Sequence, residues 1–214
     1  MKTIKKSKTL ILAITLALYM LFTSFIPSAD VYAASAQTKA LTAYQQILKK
    51  LDSKSNKFAL IYLDNDSVPE LLITPSYGVH VGMGKVYTYT NGKTRNLKYA
   101  GSDYGRLIYS PKKSITCNSA WINGYGAVET FYKFSKNGSR TKLKTFTEIM
   151  NPKISYKING KKVTKSRFTS EFAKMQKKYP LKQIYPTDTF SLTTQNIRNL
   201  VKNYKSFVIT GKNL

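Results

Sequence analysis

Four Asn-Gly pairs divide the middle of this 214-residue chain into short segments of alternating apolar and polar residues. Asn and Gly both accept positive φ angles, which the two central residues of a type I′ hairpin turn require. Short strands joined by tight turns pair antiparallel, because parallel neighbours need long crossover connections. The sequence therefore predicts an antiparallel β-meander, with hairpin turns at the first, third and fourth pairs. The pairs are Asn91-Gly92, Asn123-Gly124, Asn137-Gly138 and Asn159-Gly160.

Apolar residues at helical spacing lie on both sides of these strand segments. One stripe occupies Thr38–Leu51, ahead of the first strand-like run at Phe58–Leu63. Two further stripes follow the meander and carry many lysines. Together these patterns predict an α+β fold, an antiparallel β-meander with an N-terminal helix and basic C-terminal helices. The later stripes are Phe168, Phe172, Met175 and Tyr179, with Ser166 as cap and Pro180 as end, and Ile197, Leu200, Val201 and Tyr204, starting at Thr193 or Thr194.

Residues 1–33 have the composition of a secretory signal peptide. Four lysines precede the apolar run Leu10–Phe22, and small residues around Ala33 provide a cleavage site. The run is shorter than the roughly 20 residues that span a bilayer, so cleavage is predicted instead of membrane anchoring. The C-terminus carries neither an apolar tail nor a wall-sorting motif. We therefore expect a secreted protein, loosely attached to the cell wall at most, with one α+β domain at residues 34–214.

The positive charge is concentrated in the last part of the chain. The whole sequence carries a net charge of +25, and residues 133–214 hold 19 of the 35 basic residues but only 3 acidic ones. Such a surface attracts polyanions, although the same charge can serve solubility alone. The predicted partner is an anionic cell-wall polymer such as teichoic acid, with nucleic acid as a less specific alternative. The candidate residues are Lys161, Lys162, Lys165, Arg167, Lys174, Lys177 and Lys178, with Trp121 as a stacking aromatic.

One short segment is acidic within this basic chain. Asp64, Asp66 and Glu70 place three carboxylates within seven residues. Alternate side chains of such a segment can wrap calcium together with a backbone carbonyl, here that of Val68. Asp and Asn also form turns by bonding to their own backbone, and Pro69 fixes φ, so the segment equally suits a metal-free turn. Both interpretations remain open on the sequence alone.

The same segment carries a resemblance to known proteins. Phe58–Leu72, followed by Val86–Gly92, Tyr104-Gly105 and Ser110–Lys113, resembles a family of secreted proteins from Gram-positive bacteria that share a YALIYLDDDDIPEL-like motif. The resemblance extends from residue 38 to about residue 147. It implies export and a coherent fold but no reaction, because the family has no assigned activity. A looser similarity, to the DxNGDGxPDL calcium loops of β-propeller repeats, implies calcium binding at the acidic segment.

Few side chains suited to catalysis are present. The chain has one cysteine and one histidine. Cys117 lies in a predicted strand and is expected to be a small buried apolar residue, and a Cys117–His80 dyad would lack a third orienting group. The predicted function is therefore an exported, non-catalytic binding module. The alternatives are a small secreted hydrolase, a toxin or immunity-type protein, or a structural domain with a calcium-stabilised turn.

Overall fold

The computed structural model describes residues 29–76, 84–98, 100–122 and 125–214. The chain divides into two compact units, residues 1–36 and residues 37–214. Of the first unit only residues 29–36 are described, as the beginning of helix α1 (Ala29–Leu48). Most of the predicted leader thus lies outside the described residues. Among those that are described, no helix combines the length and the apolar character needed to cross a membrane.

A small sheet of five strands begins as the predicted meander. Its first four strands follow one another in the sequence and pair antiparallel. Asn91 and Gly92 both have positive φ and form the two-residue turn that places Thr90 opposite Lys93. The four strands are β1 (Asn56–Ile61), β2 (Glu70–Pro75), β3 (Lys85–Thr90) and β4 (Lys93–Asn96).

A large sheet of eight strands continues the meander through six consecutive strands. Asn159 and Gly160 repeat the positive-φ turn and place Ile158 opposite Lys161. Gly138 has positive φ in the longer turn before the fourth of these strands, so all three predicted hairpin turns are confirmed. The Asn123-Gly124 pair lies outside the described residues. The strands are β5 (Leu107–Ser110), β6 (Ile115–Ile122), β7 (Gly126–Phe134), β8 (Arg140–Ile149), β9 (Ser155–Ile158) and β10 (Lys161–Val163).

The C-terminal segment alternates helices with short strands that the sequence patterns do not predict. One of these strands pairs with β1 in the small sheet, and the other two extend the large sheet beyond β5. Each is only two or three residues long, too short to display an alternating pattern. The segment thus contributes to both sheets. Its elements are α2 (Lys165–Lys178), β11 (Lys182–Ile184), β12 (Phe190–Ser191), α3 (Thr194–Lys202) and β13 (Lys212–Asn213).

Three apolar clusters define the order of the layers. The first, around Tyr44, lies between the helices α1 and α3 and the small sheet. The second joins Leu72 of the small sheet to Tyr109 of the large sheet. The third packs Phe172 of α2 against Phe146 of the large sheet. The layers therefore run from α1 and α3 through the small and large sheets to α2, and the predicted α+β class is confirmed.

The helix starts follow side-chain caps. The Thr193 hydroxyl accepts a hydrogen bond from the Asn196 N–H at 3.1 Å, so α3 begins where the sequence predicts. Helix α2 instead uses Thr164, whose hydroxyl accepts from the Arg167 N–H at 3.3 Å. The predicted cap Ser166 is wrong, because it lies inside the first turn. A cap of this kind contributes about 1 kcal/mol.

Candidate functional site

The seven candidate cations between residues 161 and 178 are all exposed. Two lie on the edge strand β10 and the other five on helix α2, which follows it directly. Glu171 is the one acidic residue in this stretch of the sequence. The stretch therefore combines seven exposed cations with a single acidic residue.

Helix α2 separates its apolar side from its charged side. Phe168, Phe172, Met175 and Tyr179 all pack against the large sheet, as their spacing predicts. Arg167, Lys174 and Lys178 follow one another at steps of seven and four residues, so they share a stripe away from this buried face. Lys177 lies next to the stripe. The helix therefore holds four cations on its solvent side.

Glu171 forms two ion pairs beside this stripe. Its carboxylate accepts hydrogen bonds from the Lys144 ammonium at 2.7 Å and the Lys174 ammonium at 2.8 Å. These two ammonium groups hold the pKa of Glu171 at about 2, so the carboxylate is ionised throughout the physiological range. Lys161, Lys162, Lys165, Arg167, Lys177 and Lys178 form no ion pair within the described part of the chain.

Neighbouring lysines of β10 point to opposite faces of the large sheet, because side chains alternate along a strand. Lys161 lies opposite Ile158, which packs under α2, so Lys161 shares the α2 face. Lys162 lies opposite Lys157, on the other face. Side chains directly opposite in an antiparallel pair have Cβ atoms about 4.5–5.5 Å apart, and like charges there are destabilising. Because Lys161 and Lys162 lie on opposite faces of the sheet, the structure does not place them in one patch.

Lys157 joins the candidate residues on this geometry. The two-residue Asn159-Gly160 turn fixes the register that brings Lys157 opposite Lys162. Lys162, Val163, Thr164 and Arg167 line an open pocket of about 460 Å³ at the start of α2. The positive end of the helix dipole adds to the positive potential there. Lys162 and Arg167 thus face one pocket, and Lys157 lies next to Lys162. The position of Lys157 could have been predicted from the turn pattern in the sequence.

Trp121 lies apart from these lysines. It pairs with Ala127 on β6 and β7, four strand spacings or about 19 Å from β10. Its backbone N–H donates to the Asp103 carboxylate at 2.7 Å, and half of the residue is exposed. The structure therefore does not bring Trp121 together with the cations, although both lie on surfaces open to solvent.

The acidic segment forms an ordered turn between β1 and β2. The Asp64 carboxylate accepts from the Asp66 N–H at 3.0 Å, and the Asp66 carboxylate accepts from the Val68 N–H at 2.8 Å. Among the described residues, no group of three or more His, Cys, Asp or Glu side chains is arranged to hold a metal ion. These bonds match the metal-free turn, and calcium binding by Asp64, Asp66, Val68 and Glu70 stays a prediction.

Glu70 is the most deeply buried member of the turn. It is 2% exposed, and its carboxylate accepts from the Leu63 N–H at 2.8 Å and from the Thr88 hydroxyl at 3.3 Å. Burial, together with the nearby Asp64 and Asp66 carboxylates, raises the pKa of Glu70 to about 8 against the opposing effect of the Leu63 N–H bond. The group therefore titrates near neutral pH.

Cys117 lies in the core beneath α2, as expected. It is 2% exposed, and burial raises the pKa of its thiol well above the ordinary value. A thiol in this setting stays protonated, and the thiolate is the form that reacts. His80, the other member of the candidate dyad, lies outside the described residues.

The comparisons with known proteins give no match from which a function could be inferred. Two exposed surfaces of the described residues are candidates for binding. One is the cationic stretch of β10 and α2, and the other is the end of the large sheet that carries Trp121. No protein-family model, no curated protein and no solved structure matches the chain.

Proposed function

We propose that the protein is an exported, non-catalytic binding module whose cationic surface associates with anionic polymers of the cell envelope, such as teichoic acids. The observation that carries this proposal is the pair Lys157 and Lys162, held opposite each other next to Arg167. None of the three forms an ion pair with a carboxylate in the described part of the chain. An anion bound between them would offset the repulsion that this pairing creates.

Helix α2 carries a second group of cations on the opposite face of the sheet, and Arg167 links the two groups because it lines one pocket with Lys162. Arg167, Lys174, Lys177 and Lys178 give a repeated row of charges, which suits a polymer with repeated phosphates better than a single small anion. Lysine is a compact point charge without the forked donor geometry of arginine, so attachment is diffuse and not specific for one orientation. The driving force is the release of counterions from the polymer, and affinity therefore falls steeply with salt.

The lysines of β10 have a second structural role that affects the choice of experiment. Because β10 is an edge strand, Lys161 and Lys162 also protect it from pairing with other chains. Substitutions there would change self-association together with binding. Lys177 and Lys178 lie on the helix and do not have this complication.

The test compares two double variants that remove the same charge. Lys177→Ala with Lys178→Ala neutralises the proposed surface, and Lys49→Ala with Lys50→Ala neutralises an exposed pair beyond the end of α1. Binding to purified teichoic acid is measured by co-sedimentation over a range of NaCl concentrations. We expect the helix variant to lose about tenfold in affinity and the control variant to lose far less.

Three results would contradict the proposal. The first is binding that does not respond to salt. The second is an equal loss of affinity in both double variants, since that would mean that net charge alone, and not this surface, determines attachment. Retained affinity in the helix variant would contradict it as well.

A further inference from the structure

Exposed large apolar side chains gather at one end of the large sheet. Seven such residues are exposed among those described, and six of them lie at this end. The register explains the gathering, because Ile122 pairs with Gly126, Gly126 pairs with Ile149, and Ile184 pairs with Leu107 at the same end. We call this surface the aromatic end. Its members are Tyr104, Trp121, Tyr125, Met150, Ile154 and Tyr185.

Polar groups form the floor between these side chains. Ser119 and Glu129 are directly opposite each other on β6 and β7. The Arg106 guanidinium donates to the Ser119 hydroxyl at 3.1 Å and lies 6.0 Å from the centre of the Tyr104 ring. The Nε atom of Arg106 is buried and has no hydrogen-bond partner within the described residues. The surface near the aromatic rings therefore holds a donor, Arg106, and an acceptor, Glu129.

The face on which this floor lies is the face that α2 covers further along the sheet. Glu129 pairs with Phe146, which packs against Phe172 of α2. Trp121, Ala127 and Glu148 form the next row of the same face, beyond the apolar cluster under the helix. The helix thus covers one part of this face and leaves the part around Trp121 exposed.

The charge of the aromatic end does not suit the polymer proposed for the cationic surface. Asp103, Glu129 and Glu148 are three of the ten acidic residues in a chain of net charge +25. Asp103 contacts the Trp121 backbone, and the Arg106 charge acts on Glu129. These carboxylates would repel phosphate groups. A dry contact with a second protein copy would in turn leave the buried polar groups of the floor without partners, which costs free energy.

We propose that the aromatic end binds an uncharged glycan, a chain of hexose rings, with Trp121 and Tyr104 stacked on the ring faces and Arg106 with Glu129 bonded to the ring hydroxyls. Each hexose ring has apolar C–H faces and a rim of hydroxyls. Aromatic side chains supply large rigid contact areas for such faces. Each hydroxyl both donates and accepts, so it can satisfy a guanidinium and a carboxylate together. The inference goes beyond the proposed function and depends on a different surface.

The sole tryptophan of the chain gives a direct readout. Because Trp121 is half exposed, a sugar ring stacked on it would move indole emission to shorter wavelength. The full chain is titrated with cellotetraose and, separately, with the tetramer of N-acetylglucosamine. These probes share the β-1,4-linked ring and distinguish a plain glucan from an amino-sugar backbone. We expect a saturable shift with at least one of them below about 10 mM.

Variants then connect the signal to the surface. By calorimetry, Trp121→Ala and Tyr104→Ala are each expected to weaken binding about tenfold, whereas Trp121→Phe keeps an aromatic face and retains most of the affinity. Lys177→Ala with Lys178→Ala leaves glycan binding unchanged, and Trp121→Ala leaves teichoic-acid binding unchanged. The two proposals can therefore fail separately. Folding of each variant is checked by its urea transition.

Three outcomes would overturn the inference. The first is the absence of any emission change with either tetramer up to about 10 mM. The second is an emission change that survives in Tyr104→Ala with unaltered affinity. The third is a concentration-dependent rise in molecular mass that Trp121→Ala abolishes, since it would assign the aromatic end to contact between copies of the chain.

Discussion

Replacing Glu70 by glutamine is expected to change how the stability of the fold depends on pH. Glu70 is 2% exposed and lies where β2 begins, with its carboxylate bonded to Leu63 and Thr88. Glutamine has nearly the same shape, so its oxygen can still accept from the Leu63 N–H and its amide can donate to the Thr88 hydroxyl. The substitution therefore removes a titrating group and retains the packing.

The pKa of Glu70 in the folded chain determines the sign and the size of the effect. An ordinary glutamate has a pKa of 4.5, and burial raises that of Glu70 to about 8. Between these two values the folded state holds a proton that the unfolded state has lost, so stability falls as pH rises. Each pKa unit corresponds to about 1.4 kcal/mol, which gives a total loss of about 4 to 5 kcal/mol by pH 8.

Urea unfolding at a series of pH values from about 5 to 8 measures this difference. We expect Glu70→Gln to match the parent chain near pH 5 and to exceed its free energy of unfolding by several kcal/mol at pH 8. Glu171→Gln is the matched control. The pKa of Glu171 is held at about 2, so this glutamate should change stability by a constant amount across the range. Parallel curves for the parent chain and Glu70→Gln would refute the reasoning.

Four further predictions follow from the packing and the hydrogen bonds. Phe172→Ala, which removes a ring that contacts Phe131 and Phe146, should lower the free energy of unfolding in urea by about 3 kcal/mol. Thr164→Ala should cost about 1 kcal/mol in the same assay, because α2 loses its cap. Cys117 should react with a thiol reagent only after unfolding, as a colorimetric assay would detect, since the thiol is buried. The metal-free turn, which the Asp64 and Asp66 hydrogen bonds match, predicts a Tm that calcium and chelator leave unchanged, whereas a calcium site predicts a calcium-dependent rise.

The local features of the fold could be predicted from the sequence. Asn91-Gly92 and Asn159-Gly160 form the expected turns because these residues tolerate positive φ whatever surrounds them. The stripe on α2 depends only on spacing, and it packs as predicted. The position of Lys157 opposite Lys162 could also have been derived, since a two-residue turn fixes the register.

Features that depend on distant contacts could not be predicted. The strands β11, β12 and β13 are held by partners elsewhere in the chain and carry almost no pattern of their own. The position of Trp121 follows from the order of strands across the large sheet, and nothing in its neighbouring residues indicates an acidic environment. The buried state of Glu70 likewise arises from two stacked sheets, whereas the sequence shows only an acidic turn.

The pairing of β12 with β1 has a consequence for how the protein matures. Phe58 lies opposite Phe190, so the small sheet is completed only by residues more than a hundred positions later in the chain. Distant pairings of this kind slow folding, because the intervening chain must close before any contact compensates for the lost entropy. A ribosome would have to release nearly the entire polypeptide before either sheet could be finished. The small sheet should accordingly remain protease-sensitive until synthesis nears its end, and a chain that stops near residue 180 would lack β11, β12, α3 and β13.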